Sequence, residues 1–264
     1  MDRSLNHVRE SLFRATNRLS LISAHDALTI LRSCMGAANL TYMLRSACCS
    51  GHSGLVLIDN ILRRACSTVI NVDLSDDQWL QASLPIKLGG LGIRSVSLLA
   101  PSAYLASAAG TSDLQNRILG RVNFPADLEL VRVSSYWSSL CQAEQPPLAS
   151  LDKKHQLDNR VCQAQFHQLL NRQDSPIDKA RLLAVSASHS SDWLHALPIS
   201  ACGLRLDNED IRSAVGLRLG AKLCEPHLCP CGAQVDHRGL HGLVCRKSAG
   251  RMSRHQCLKD IKKV

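Results

Sequence analysis

The chain has 264 residues, 45% of them hydrophobic, and a formal charge of +9 from 31 Lys+Arg against 22 Asp+Glu. That length and apolar content suit one large domain or two small ones and exclude wholesale disorder. Arg, Lys or Asp interrupts every apolar run before membrane-spanning length, and Met1 to Glu10 lacks the apolar core of a signal peptide, so an intracellular place, nucleus or cytoplasm, is expected.

Leu5, Val8, Leu12, Ala15 and Leu19 recur at helical spacing, with Arg9, Arg14 and Arg18 off the stripe. Ser23 with Asp26 three residues on predicts a capped second helix whose apolar face is Ala24, Ala27, Leu28 and Leu31. After Gly36, the positions Leu40, Met43, Leu44 and Ala47 predict a third. From Ser53 the run Leu55, Ile58, Leu62, Ala65 and Val69 predicts a longer fourth, with Arg63 and Arg64 on its polar side. Ser75-Asp76-Asp77-Gln78 reads as a capping box ahead of a short helix that Pro85 ends. Its two aspartates suit the positive end of that helix. They lack the strand turn behind an aromatic residue in which a polymerase holds its metals.

Leu84-Pro-Ile-Lys-Leu-Gly-Gly-Leu-Gly-Ile-Arg94 holds three glycines within four positions, which permits positive φ and close backbone approach. Lys87 lies on the wrong side of them for a phosphate loop. The stretch reads as a tight connection that docks a small-residue helix, Ser97 to Ala109. From Thr111 to about Pro147 the pattern weakens and Pro125, Pro146 and Pro147 punctuate it, as at a flexible boundary. Leu151 to Leu170 and Ile177 to Val185 read as helices. Asp207 then caps a helix carrying Ile211, Ala214, Val215, Leu217 and Leu219, with Gly220 at its end. Arg205, Arg212, Arg218 and Lys222 are expected to give it a basic surface.

Cys229-Pro-Cys231-Gly-Ala-Gln-Val-Asp-His-Arg-Gly-Leu-His241-Gly-Leu-Val-Cys245 places three thiols and an imidazole in one short loop. Thiolates and neutral imidazole are the donors Zn²⁺ prefers, and four of them close a tetrahedron. Gly232 allows the sharp turn that points Cys229 and Cys231 at one ion. Such a site is structural: no position is left for a reactive water. Only one residue separates the first two cysteines, so Cys224, His227 and His237 stay open as substitutes for one ligand. The chain has 12 cysteines. Several, including Cys34, Cys66 and Cys162, sit in apolar segments as small hydrophobes, and Cys48-Cys49 is poorly placed to chelate or to pair.

Past the knuckle, Arg246, Lys247, Arg251, Arg254, Lys259, Lys262 and Lys263 meet one acid, Asp260. Such a segment can lie along phosphates, and the positive balance favours a polyanionic partner, RNA or DNA, over a small-molecule substrate. Aromatic residues make up 3% of the chain, too few for a base-stacking platform.

Two signatures in order carry a resemblance. The Leu84-to-Arg94 stretch after a helical segment, then Val215-Gly-Leu-Arg-Leu-Gly220 followed by Cys, Cys, His and Cys, resembles the region C-terminal to the palm in reverse transcriptases of non-LTR retrotransposons. The resemblance implies a thumb-like helical bundle over 1–110, a helical linker over 111–180, and a basic helix, CCHC knuckle and basic tail over 181–264. The fold class is then mainly α, a helical bundle followed by a small zinc-knuckle module. It also implies that Cys229, Cys231, His241 and Cys245 hold a structural Zn²⁺. Arg212, Arg218, Lys222, Arg246, Lys247, Arg251 and Arg254 are the expected nucleic-acid contacts.

The family's aromatic-x-Asp-Asp turn does not occur in this sequence, so two-metal phosphoryl chemistry is not expected. The chain reads as the middle of a larger polyprotein with catalytic parts on either side. The competing reading is a zinc-stabilised helical module that binds protein.

Overall fold

The computed structural model describes residues 2–119, 127–142 and 154–248, and they are mainly helical. The first helices are α1 (Asp2–Asn17), α2 (Ala24–Ile30), α3 (Ala37–Ser46), α4 (Ser53–Ile70), α5 (Asp76–Ser83) and α6 (Val96–Leu119). There follow α7 (Leu128–Cys141), α8 (Lys154–Arg172), α9 (Pro176–Val185) and α10 (Asn208–Leu219). A two-residue antiparallel ladder, β1 (His227–Leu228) with β2 (Gln234–Val235), precedes a one-turn helix, α11 (His241–Val244). No helix among the described residues is long and apolar enough to cross a membrane.

The local signals form as the residues dictate. Ser23 Oγ accepts from Asp26 N, Ser75 and Gln78 make a reciprocal capping box, and Asp207 accepts from Asp210 N. Asp76 and Asp77 lie in the first turn of α5, where Asp76 pairs with Arg63 and Asp77 with Arg172. The stripes of α1 to α4 converge on one core that includes Leu12, Leu31, Leu44, Ile58 and Leu62. Cys66 and Cys162 are buried, and burial pushes the Cys66 thiol up to about 12. Cys34 was expected inside; it lies on the surface, in the π-helical turn Leu31–Met35, which buries Leu31 instead.

The helix after the glycine stretch is longer than the sequence pattern showed, running to Leu119. Its start is held by Asp59 of α4, whose carboxylate accepts from Val96 N at 2.7 Å, Ser97 N at 3.2 Å and Ser95 Oγ at 2.8 Å. Burial raises that carboxyl above its ordinary range, so these donors are what keep it in place. Asp59→Ala removes a cap and strands buried donors, an expected loss of about 2 kcal/mol. Urea unfolding checks it, and an unchanged midpoint would show the cap to be dispensable.

The weakly patterned middle also packs. Trp137 of α7 is fully buried against Leu105, Val133 and Val161. Phe166, Leu169 and Leu182 of α8 and α9 cover Leu84. Pro125, Pro146 and Pro147 lie outside the described residues. Helix α10, far along the chain, buries Ile211, Val215 and Leu219 in the same core as α1 to α6.

Candidate metal centre

The hairpin turn between β1 and β2 aims the first two thiols. Cys229 N donates to Ala233 O at 2.9 Å, Gly232 N donates to Cys229 O at 2.8 Å, and Gly232 has φ +91°. That positive φ is where glycine is required. Helix α11 then supplies His241 from its first residue, and Cys245 follows its last, with Cys245 N donating to His241 O at 2.8 Å.

The four donor atoms lie within 4.8 Å of one another. Cys229 Sγ and Cys245 Sγ are 3.5 Å apart, and Cys231 Sγ is 3.1 Å from His241 Nε2. Around a tetrahedral ion with metal–sulfur bonds of about 2.3 Å, two sulfurs sit roughly 3.8 Å apart, so the Cys229 and Cys245 sulfurs need to open only slightly to share one ion. The Cys₃His cluster can hold a metal ion. The Ala233 backbone N–H, then the Cys229 thiol, pull the Cys231 thiol down to about 6, favouring the thiolate a metal needs. The Cys231 backbone N–H acts on Cys229 in the same direction, but desolvation and the Cys231 and Cys245 thiols outweigh it and move Cys229 up.

The three alternative ligands have other roles. Cys224 Sγ donates to Asp236 O at 3.3 Å, and His227 Nδ1 is 2.9 Å from Glu225 O. His237 contributes its carbonyl, which accepts from Leu223 N at 2.7 Å and from Cys224 N at 3.1 Å. Those bonds stitch the end of the α10 segment to the knuckle.

The basic residues divide sharply. Lys222 and Arg246 are exposed. Lys247 is exposed, and its Nζ donates to Pro230 O at 2.8 Å. Arg212 is partly committed: it pairs with Glu209 at 3.0 Å and reaches Val69 O at the C-terminal end of α4, where a cation complements the helix dipole. Arg251 and Arg254 lie outside the described residues.

Arg218 is a correction. It was expected on a basic surface and is instead 4% exposed. Its guanidinium donates to Gly90 O at 3.2 Å, Ile86 O at 3.1 Å and Ser191 Oγ at 2.7 Å. Burial with no carboxylate partner pulls it down to about 10. Arg218 therefore faces the glycine stretch rather than solvent. There the backbone folds tightly: Gly89 and Gly92 have φ of +78° and +77°, and a Cβ on Gly90 would lie 2.0 Å from Leu84 O.

A polar network that no local pattern announced joins this stretch to the knuckle. Gln81 Nε2 donates to Gly89 O and Arg218 O, each at 3.0 Å. Arg181 donates to Gln81 Oε1 at 2.9 Å and to Arg218 O. Asp178 accepts from Arg181 and, at 2.8 Å, from Arg238 of the knuckle. Burial pushes the Asp178 carboxyl up, but Arg238 and Arg181 prevail and hold it below its usual range. Only the three-residue spacing of Asp178 and Arg181 on α9 was visible in the sequence.

No protein family, curated protein or solved structure matches this chain.

Proposed function

We propose that the chain is a nucleic-acid-binding fragment of a retrotransposon reverse transcriptase, with a structural Zn²⁺ on Cys229, Cys231, His241 and Cys245 and no catalytic residues of its own. The observation that carries the reading is the Cys₃His cluster, closed by four protein donors and followed at once by exposed Arg246 and Lys247. Thiolate-rich tetrahedral sites select zinc over hard cations. Four protein ligands leave the ion a folding role, so the contribution to binding comes from the basic side chains around it. Lys222, Arg246, Lys247, Arg251 and Arg254 are the phosphate contacts in this reading, Arg212 contributes in part, and the buried Arg218 does not.

Contacts of this kind read charge rather than base sequence. Binding to RNA or DNA is expected to vary little with sequence and to fall by orders of magnitude from low to physiological salt. Changing Arg251 and Arg254 together to Ala should weaken it uniformly and lower the slope of log K against log salt by roughly two at most. Fluorescence anisotropy at several salt concentrations checks this. A double variant with parental affinity and slope would mark the tail as a solvated face.

The protein-interaction reading has one observation in its favour. Leu228, Leu243 and Val244 are 69%, 52% and 71% exposed on the knuckle, an apolar surface that a protein partner could cover. Salt-insensitive or absent nucleic-acid binding would make it the better account.

A further inference from the structure

The knuckle is joined to the helical body by few apolar contacts. Leu223 closes over Gly216, where an added Cβ would meet Leu223 Cδ2 at 2.2 Å. Beside it the joint is mostly polar and holds a cavity of about 130 Å³ whose lining includes Gln81, Asp178, Arg181 and Arg238 over the buried side chains of Leu169 and Leu219. A joint of this composition draws much of its rigidity from its ion pairs and hydrogen bonds, because most of the side chains that meet there are polar.

Arg238 occupies a particular place in the chain. It lies between the two ligand pairs, after Cys231 and before His241, on the segment whose His237 carbonyl accepts from Leu223 N and Cys224 N. An ion that ties Cys229 and Cys231 to His241 and Cys245 shortens the span within which residues 232–240 can move. The Arg238 guanidinium is 21% exposed and the Asp178 carboxylate 12%, so their bond is substantially shielded from water.

From Asp178 the chain of bonds is continuous. Arg181 links Asp178 to Gln81 Oε1 and Arg218 O, Gln81 links Arg218 O to Gly89 O, and the Arg218 side chain holds Gly90 O and Ile86 O. The glycine stretch has no β-carbons at Gly89, Gly90 and Gly92 to pin it by packing. Leu84, Ile86 and Leu91 anchor its sides in the core, and between them its conformation depends on what bonds its carbonyls.

We propose that metal binding in the knuckle is coupled, through Arg238 and Asp178, to the order of the glycine stretch at residues 84–92, so that the ion locks the C-terminal module onto the helical body. The inference rests on the reading of the Cys₃His cluster as a metal site. Its consequence is mechanical: basic groups on the knuckle and on the body are presented at a fixed mutual orientation only while the metal is bound. Energetic coupling of this kind needs a two-state element that both ends bias, and the polar joint is that element. Closed, it makes the Arg238–Asp178 bond; open, it releases it.

Hydrogen exchange on the full chain tests the coupling residue by residue, with zinc content measured on every sample. The reporters are the amides of Gly90, Leu91 and Gly92, which donate to Pro85 O, Ala82 O and Leu84 O, and that of Ala221, which donates to Gly216 O. Chelating the zinc is expected to speed their exchange about tenfold, the effect of losing one shielded charged hydrogen bond. Zinc-loaded Arg238→Ala is expected to keep its metal and exchange like the metal-free parent at these amides. Arg238→Lys should restore part of the protection, since it keeps the charge without the planar fork. Equal exchange in zinc-loaded parent and zinc-loaded Arg238→Ala would overturn the coupling while leaving the metal site standing. A parent that takes up no zinc would instead remove the metal reading on which the inference rests.

Discussion

Cys231→Ser and Cys245→Ser are expected to reduce zinc content from about one equivalent to none, whereas Cys66→Ser should leave it unchanged. The first two remove ligands from a four-donor site; Cys66 is a buried core thiol in another part of the molecule. Structural zinc in small knuckles contributes on the order of 10 kcal/mol to folding at neutral pH, so loss of one ligand exceeds what the local fold can absorb. The hairpin and the one-turn α11 bury few large apolar side chains, Val235 and Cys245 excepted. Chelation should therefore unfold residues 224–245 and leave most of the far-ultraviolet helical signal, which arises from α1 to α10. Acidification acts in the same direction, because the proton and the metal compete for the same thiolates and imidazole. Metal analysis of protein prepared under reducing conditions decides the matter. Absence of stoichiometric zinc would end the metal assignment, and retention of zinc by Cys245→Ser would show the ligand set to be wrong.

Arg218→Ala is expected to destabilise the protein by about 3 kcal/mol, because it opens a cavity, removes three hydrogen bonds from a charged donor and strands a buried acceptor. Gly90 O loses its donor, whereas Ile86 O keeps Gly89 N at 3.0 Å and Ser191 Oγ at 3.3 Å. Two effects oppose each other here. The guanidinium is buried without an opposite charge, so removing it relieves a desolvation cost. Its three hydrogen bonds, each from a charged donor, outweigh that relief. Arg218→Met should separate them: it fills most of the space and removes the charge, and its expected cost is about half that of Ala. Chemical denaturation measures both variants. Neither should change the salt slope of nucleic-acid binding by the folded protein. A folded Arg218→Met variant with parental stability and a reduced slope would place Arg218 on phosphate after all.

Much of the helical framework was legible in the chain. The stripes of α1 to α4, the caps at Ser23, Ser75 and Asp207 and the left-handed stop at Gly220 follow from spacings of three or four residues. The cluster of four possible donors was legible for the same reason, since all of them fall within seventeen residues, from Cys229 to Cys245. The alternatives, Cys224, His227 and His237, lie outside the cluster of four donors, the first two side chains bonded to Asp236 O and Glu225 O and the third residue serving through its carbonyl. Arg218 was misjudged although a signal existed. It stands on the stripe Ile211, Val215 and Leu219, seven residues after the first, where residue type argued for the surface and position for the core.

The sequence by itself determined most of the helices, though not α7 or the far end of α6, and the four side chains that cluster near the C-terminal end of the described residues, because backbone capping and 3.6-residue periodicity depend on near neighbours alone. The tertiary structure decided which polar groups are satisfied by one another. Gly90 O and Ile86 O are 128 and 132 residues from the arginine that bonds them, and Asp178 is 60 residues from Arg238. No local pattern encodes such partners. They are fixed when α10 packs into the N-terminal core and brings a buried charge against the carbonyls of Gly90 and Ile86.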